Sequence, residues 1–517
     1  MDNQSDHSWI RFDGRVYQIK SGETALNAML MGGAQLPFSC RKGTCHSCML
    51  EAVSGDPGPA AIAKLPENLR EQNLFLPCMC DTPNQVEARL PDRAKLLNQA
   101  VIAEKSHLSE SIVKILLEPE QVIEWHPGQT ISIQAPDGDF RTYSIVSAPD
   151  DYFVEIHLRH YPNGKLSDWI ETSLSVGDSI SFFGPTGNQF YQKHMDEHPL
   201  IFISTGSGGG ALLGVLKTAL VSNPNRPIEF YHGASRSDDL YLADTLVEFE
   251  KQHEQLRTYS IASQQGEKRR VADVAFAQDR DLSETVFFLC GAPEAVERAR
   301  INAVGQGVEL ENIYSDPFEY GADYWPQDRE KIASVAPMPE LWAALDNGRL
   351  LTEILEKFYT QVFEDERLAP YFQKVTKQRL IEKQYAFLAD LFLGKQDYFG
   401  DRPFNAHHWM VISDDLFDYR ERLFFQVIAP YGIPQKYLWK WAAIHELFRR
   451  EIVKDSMRGQ IFEGREIRRE GVTTETISVA TICCRCENEL KEGDHAQYHE
   501  RTGELFCMNC AGKTAPE

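Results

Sequence analysis

Four cysteines near the start of the chain, Cys40, Cys45, Cys48 and Cys78, stand as C-x4-C-x2-C with the fourth thirty residues further on. Four thiolates, two for each iron, are what a 2Fe-2S cluster requires, and this is the plant-type spacing of such sites. Gly43 and the small residues Ser39, Thr44 and Ser47 let the loop wrap closely and offer backbone N–H groups to the sulfurs. Cys80 competes for the last position, and a zinc knuckle or buried free thiols are the alternatives to a cluster. At the other end, Cys483-x2-Cys486 and Cys507-x2-Cys510 make two CxxC knuckles about twenty residues apart, the pattern of a tetrahedral structural zinc. A rubredoxin-like iron is the second choice of metal. Cys484 is then spare, and His495 or His499 could replace a thiolate.

Between these clusters lie residues suited to nucleotide cofactors. Arg141-Thr142-Tyr143-Ser144 ends an expected strand, and Asn163-Gly164-Lys165-Leu166-Ser167 follows. An arginine can neutralise a pyrophosphate, a tyrosine can stack beside a flavin ring, and a serine can hydrogen-bond its edge, so Arg141, Tyr143 and Ser144 suit FAD. Gly164 and Ser167 would let backbone and hydroxyl donors approach its phosphates. The run Thr205-Gly206-Ser207-Gly208-Gly209-Gly210 follows the apolar Leu200-Ile201-Phe202-Ile203 and opens a helix. That places phosphates against glycine backbone at a helix N-terminus. Cys290-Gly291 closes a second apolar run, Val286 to Leu289.

The cysteine loop, PFSCRKGTCHSC with LPCMC, closely resembles the ferredoxin domains attached to oxygenase reductases, and the resemblance favours Cys78 over Cys80. Arg141 to Ser144, the glycine turn and Cys290-Gly291, taken in order, resemble the ferredoxin-NADP reductase superfamily over about 100 to 325. That likeness implies FAD and NAD(P)H as cofactors, with Cys290 near the nicotinamide. Ile313-Tyr314-Ser315-Asp316-Pro317-Phe318 resembles the family's ending, which makes Phe318 either an aromatic over the flavin or a core residue. In His232 to Leu240, Arg236 could bind a 2′-phosphate, while Asp238, Asp239 and the resemblance favour NADH.

Further on, Phe358-Tyr359, Val362, Asp365, Leu368, Pro370 and Phe372 resemble the start of truncated, two-over-two globins, a likeness that runs to about residue 455. It implies haem b, with Phe372 packed on it and Tyr359, Gln384 and Leu380 on the distal side. A hydroxyl and an amide there can donate to iron-bound dioxygen. The family pattern places an isoleucine and an aromatic after the iron ligand; Ile412 and Phe417 fit His407, with His408 as the alternative. His445 reads as structural.

These residues need distinct elements to position them. Apolar runs alternate with Gly and Pro turns from 100 to 195, which suggests an antiparallel barrel. From 196 strands alternate with helices, which implies a parallel doubly wound sheet. After the proline-bearing Ser334 to Pro339, Leu351, Ile354, Leu355, Phe358 and Val362 recur at helical spacing. The expected fold is therefore multidomain: an α+β (β-grasp) ferredoxin at 1–95, a flavin barrel at 96–195 and an α/β nucleotide domain at 196–325. A linker at 326–340, an all-α truncated globin at 341–457 and a zinc-ribbon-like tail at 476–517 complete it.

Lys+Arg 53 against Asp+Glu 76 gives a net charge of −23 over 517 residues, which disfavours nucleic acid and anionic membrane surfaces. No window approaches a membrane span and the N-terminus lacks a signal-peptide pattern, so a cytoplasmic protein is expected. Ten of the eleven cysteines fall in the two clusters, which suits metal better than disulfides. By architectural analogy with flavohaemoglobins, which also join a globin to this reductase type, the first functional expectation is a nitric oxide dioxygenase. Its partners would be O2, NO, NAD(P)H and a protein redox partner. The second is a reductase for an external oxygenase, with the globin as an O2 or NO sensor.

Overall fold

The computed structural model describes residues 8–510 except 20–23, 35, 37–42, 44–45, 47, 66, 81–83, 93–95, 139, 149–150, 163, 188, 265–268, 319–326, 373–375, 396–397, 399, 455–457, 463–464, 468–471, 478–480, 484–485, 487, 492 and 500–504. Contacts divide the chain into two units, Met1–Tyr324 with Pro434–Leu447, and Trp325–Ile433 with Phe448–Glu517.

The first unit begins with β1 (Trp9–Phe12), β2 (Arg15–Gln18), β3 (Leu50–Asp56), β4 (Leu74–Phe75) and β5 (Asn84–Arg89), ordered β2-β1-β5-β3-β4. The central pair β1 and β5 is parallel and the other pairs are antiparallel. With the Ala25–Met31 helix, whose N-cap Thr24 accepts the Asn27 N–H, this is the β-grasp arrangement.

β6 (Asn98–His107), β7 (Ile112–Pro119), β8 (Thr130–Gln134), β9 (Phe140–Ser144), β10 (Val154–Arg159) and β11 (Ser179–Thr186) form an antiparallel sheet ordered β10-β7-β6-β11-β8-β9. An antiparallel bridge from Ile145 to Ile156 joins its two edges and closes the barrel.

β12 (Leu200–Thr205), β13 (Ile228–Ala234), β14 (Leu256–Ala262), β15 (Val286–Gly291) and β16 (Ile313–Pro317) form a parallel sheet ordered β14-β13-β12-β15-β16. Helices on both faces explain why β12 and β15 are near-continuous apolar runs, with Phe202 stacked between Phe230 and Phe288. The strand order reverses between β12 and β15. Ligands of such sheets bind at the carboxyl ends of the strands flanking that point.

One helix of this unit comes from far along the chain. Gln435–Leu447 packs on the Pro293–Gly305 helix. Trp439 lies 2.7 Å from where a Cβ on Gly307 would stand, and Glu446 accepts from Arg300 at 2.6 Å with both side chains largely buried.

The second unit is helical, then β. In the Arg349–Glu364 helix the buried residues are Leu351, Ile354, Leu355, Phe358, Tyr359 and Val362, the expected apolar stripe. Lys377–Leu393, Pro403–Ala406 and Asp414–Ile428 follow, the last capped by the Ser413 hydroxyl. Small sheets then carry the tail, the largest pairing Val472–Thr476, His495–His499 and Leu505–Cys507.

Charges are buried beneath the Pro403–Ala406 helix. Asp328 accepts from the Phe404 N–H, and Lys331 pairs with the fully buried Glu451 at 2.8 Å. Burial, then the Glu451 charge, pushes the Asp328 carboxyl up to about 7. An unfolded aspartate has a pKa of about 3.9. Between these values the folded chain binds more protons than the unfolded one, so Asp328 makes stability fall as pH rises through that window. Asp328→Asn is expected to remove this dependence. Unfolding followed by circular dichroism should show the variant gaining on the wild type from pH 4 to pH 7, and a pH-independent difference between them would contradict the assignment.

Candidate functional site

At the reversal point two turns meet backbone to backbone. Gly206, with φ +55°, turns the chain after β12, and its N–H donates to the Gly233 carbonyl at 3.1 Å. The Thr205 hydroxyl accepts from the Ala292 N–H at 2.7 Å, tying this turn to the one after β15. A Cβ on Gly208 would lie 2.6 Å from the Cys290 carbonyl oxygen, and one on Gly291 would enter Thr205. Glycine is required here because no side chain fits.

The next two glycines serve another purpose. A Cβ on Gly209 would stand 2.7 Å from the His232 ring, and one on Gly210 would enter the ring of His157. Both imidazoles are buried. His157 donates from Nε2 to Glu155 at 2.7 Å, which leaves Nδ1 to accept from the Tyr241 hydroxyl at 3.1 Å. Glu155 and His157 belong to barrel strand β10, so this chain of bonds fastens the flavin barrel to the nucleotide domain. His232 bonds the Ser204 hydroxyl at 2.9 Å, and burial followed by the Arg159 charge lowers its pKa to about 4.

Arg159, at the end of β10, is the residue that sequence reasoning missed. Its guanidinium lies 3.0 Å from where a Cβ on Gly206 would be, and it makes no hydrogen bond or ion pair among the described residues. A cation against a glycine turn at the head of the Gly208–Ser222 helix can hold phosphate. A lone arginine in a strand gives no such signal.

The flavin motif lies on β9. Arg141 is exposed, and Tyr143 packs partly against the barrel core, which pushes its phenol up. Ser144 donates to Asp316 at 3.2 Å, and the same carboxylate oxygen is 4.0 Å from the Cys290 sulfur. Asp316 thus joins Ser144 to Cys290, a second role unmarked in the sequence. Burial, then Asp316, pushes the Cys290 thiol well up, so it stays protonated. Phe318 donates its N–H to Gly291 and packs partly on the nucleotide-domain core. Gly164 caps the Lys165–Ser173 helix, while the buried Ser167 hydroxyl accepts from the Tyr161 N–H. Asn163 lies outside the described residues.

In the ferredoxin domain Cys48 and Cys78 are buried in one core, while Cys40 and Cys45 lie outside the described residues. Gly43, at φ +74°, sits so close to the Pro77–Met79 turn that a Cβ would lie 2.8 Å from Met79 Cγ. That closeness fits a loop wrapped around a cluster. The Cys80 thiol donates to the Pro57 carbonyl at 3.2 Å, which engages the rival of Cys78 as a protonated thiol.

In the helical unit Tyr359 is buried with its ring 6.1 Å from Phe372. Leu380 and Gln384 stand four residues apart on the Lys377–Leu393 helix, on one face. His407 donates from Nδ1 to the Pro403 carbonyl at 2.8 Å, which leaves the Nε2 lone pair for a metal. Burial, then the Lys454 charge, lowers its pKa to about 4, so the ring is neutral. His408 makes the same kind of bond to Asn405 at 2.6 Å.

In the tail the ligand atoms of Cys483, Cys486, Cys507 and Cys510 lie within 4.8 Å of one another. Cys507 donates its N–H to the Cys483 sulfur at 3.3 Å. Hydrogen bonds from Cys486 and Cys507 push the Cys510 thiol up to about 12, because the thiols crowd together. This donor set could hold a metal ion. Cys484 and the side chain of His499 lie outside the described residues, and His495 is exposed.

Four family models match in order: a 2Fe-2S iron-sulfur cluster binding domain at 10–82, an oxidoreductase FAD-binding domain at 99–191, an oxidoreductase NAD-binding domain at 202–300 and a bacterial-like globin at 342–429. The reductase subunit of an aromatic O-demethylase from an Amycolatopsis species is 30% identical over 309 residues, 56% of this chain and 91% of that one. The ferredoxin–NAD(P)(+) reductase component of the naphthalene 1,2-dioxygenase system of Pseudomonas putida is 26% identical over 325 residues, 60% of this chain and 98% of its own. Among solved structures, the Amycolatopsis cytochrome P450 reductase matches 61% of this chain and 99% of its own at 26% identity, with a TM-score of 0.44. No helix among the described residues is long and apolar enough to cross a membrane.

The position of Arg159 gives a direct test. Loss of a charged hydrogen bond to phosphate costs about 1.5–3 kcal/mol. Arg159→Gln should therefore raise KM for the reduced nicotinamide dinucleotide by roughly tenfold or more while leaving kcat near the wild-type value. Steady-state reduction of ferricyanide reads both constants, and an unchanged KM would remove Arg159 from the site.

Proposed function

Because the chain belongs to the family of 2Fe-2S flavin reductases that includes the reductase subunit of an aromatic O-demethylase, we propose that it oxidises NADH and delivers the electrons to its own globin, where NO and O2 become nitrate. The chain is an NAD(P)H-dependent oxidoreductase that moves electrons through FAD and a 2Fe-2S centre and carries a bacterial-like globin domain. Its relatives are reductase components, so what sets it apart is the globin on the same chain.

The residues divide as follows. Arg141, Tyr143 and Ser144 on β9, with Gly164 and Ser167 at the head of the next barrel helix, hold FAD. Thr205, Gly206, Gly208, Cys290 and Gly291 form the bed for the nicotinamide dinucleotide, and Arg159 holds its pyrophosphate. Arg236 is paired with Asp238 at 3.2 Å, so its charge is compensated and a 2′-phosphate gains little from it. This favours NADH. FAD, when bound, converts a two-electron hydride into single electrons. Cys40, Cys45, Cys48 and Cys78 hold the 2Fe-2S cluster.

In the globin His407 offers Nε2 to the iron, with its ring orientation fixed by the Pro403 carbonyl. Tyr359 and Gln384 supply donors for a partly negative dioxygen, and Phe372 and Leu380 exclude water. Haem, when bound, supplies an iron that binds dioxygen. One NO, one O2 and one electron leave one nitrate. The tail cysteines hold structural zinc, which stabilises a small fold that, among the described residues, buries few apolar side chains.

The observation that carries this reading is the locked, neutral His407 in a globin fused to its own electron source. A second reading rests on the relatives, which are reductase components of oxygenase systems: electrons leave through the 2Fe-2S centre to a separate oxygenase, and the globin senses O2 or NO.

Full-length protein given NADH, O2 and NO should form nitrate, and its absorbance should include a Soret band. His407→Gly should lose the Soret band and nitrate formation while keeping the flavin and iron-sulfur absorbance. Nitrate formation equally fast in that variant sinks the dioxygenase reading. A rate of electron delivery to an added ferredoxin that responds to NO in the wild type alone would favour the sensor.

A further inference from the structure

His46 is one residue beyond Cys45 and two before Cys48, and it is the feature of the cluster loop that the foregoing leaves unexplained. It adopts φ +54°, a left-handed backbone uncommon for residues other than glycine, although histidine is, with asparagine and aspartate, among the side chains found there most often. Something must hold it there.

Its imidazole is only 4% exposed and faces the flavin barrel. The ring centroid lies 5.8 Å from that of Phe183 on β11, at a tilt of 57°. Phe183 in turn packs against the ferredoxin core, as does Leu96 from the connecting segment. His46, Met49, Pro91, Leu96, Leu97, Phe140 and Phe183 line a cavity of about 20 Å³. Phe140 immediately precedes Arg141 of the flavin motif. The lining therefore includes the first residue of the flavin strand β9 and a residue next in sequence to a cluster cysteine.

The rest of this surface is apolar, and His46 brings the polar atom. Nδ1 is buried without a hydrogen-bond partner among the described residues. The imidazole also hydrogen-bonds the backbone of Lys64 and Gly43, so its polar atoms, and not apolar packing alone, account for a histidine here. The cavity has room for one water, whose minimum is roughly 10–15 Å³.

We propose that His46 is the positioning residue for electron transfer between flavin and cluster: its ring, seated against Phe183, fixes the ferredoxin core that holds Cys48 and Cys78 against the flavin barrel and defines where one electron crosses. This rests on the reading that electrons pass from FAD to the 2Fe-2S centre. In that step the flavin loses one electron and the cluster gains one, and NADH supplies both electrons of the pair in advance. Met49 and Phe140 complete the contact, and the barrel is held to the nucleotide domain by Glu155, His157 and Tyr241, so His46 is the polar side chain on the cluster side of this joint.

The test uses full-length protein and two variants. His46→Asn keeps a polar side chain that tolerates the left-handed backbone, and His46→Gly removes the ring while relieving the backbone. Rapid mixing with NADH reads flavin bleaching, and freeze-quench paramagnetic resonance reads the reduced cluster. In both variants flavin bleaching should keep its rate, whereas cluster reduction should slow by about tenfold, since small misplacements of reacting centres are costly in rate. Cluster content by iron and sulfide assay, and the cluster potential by redox titration, should match the wild type.

Cluster reduction at the wild-type rate in both variants overturns the proposal. So does a slowing that a shifted cluster potential fully explains. A cluster that is never reduced through the flavin in the wild type would instead overturn the functional reading on which the proposal stands.

Discussion

Two stretches of backbone have to touch where β12 and β15 end, and most of the reductase is arranged around that contact. A methyl group on Gly208 would come within 2.6 Å of the Cys290 carbonyl, so neither turn can carry a side chain there. The Gly208–Ser222 helix starts at this contact, and a helix N-terminus is a place where phosphate can bind. Other side chains are placed against this contact: Arg159 beside Gly206, and Asp316 between Ser144 and Cys290. One carboxylate, that of Asp316, thus joins Ser144 of the barrel to Cys290 of the nucleotide domain.

Much of this was legible in the sequence because it is local. Cysteine spacing, a strand followed by a glycine turn, and apolar residues at helical period all depend on near neighbours, and the Leu351 to Val362 stripe appears as read. What was not legible depends on residues far apart. The glycine run looked like one phosphate cradle, yet Gly209 and Gly210 are small because His232 and His157 occupy the space beside them. Arg159 and Asp316 gain meaning only when β10 and β16 are placed. The Nδ1 bond that leaves Nε2 of His407 available is likewise set by backbone geometry.

Polar groups are buried together at two places. His157 with Glu155 and Tyr241, and Asp328 with Lys331 and Glu451, each remove hydrogen-bonding groups from water. Such groups are costly unless matched, so each cluster favours one arrangement over near alternatives. Apolar packing alone would hold these folds less uniquely.

The Gln435–Leu447 helix has a consequence for how the chain is made. It covers Gly305 and Gly307 of the nucleotide domain, although the ribosome releases it only after the globin helices that precede it. That face of the nucleotide domain is therefore covered only after the globin helices have been made. It stays uncovered through the synthesis of another domain, so the nascent chain carries an open apolar face for that interval. Cutting the gene at the Pro337 and Pro339 segment would leave the same face bare, and a reductase excised there is expected to be the more aggregation-prone half.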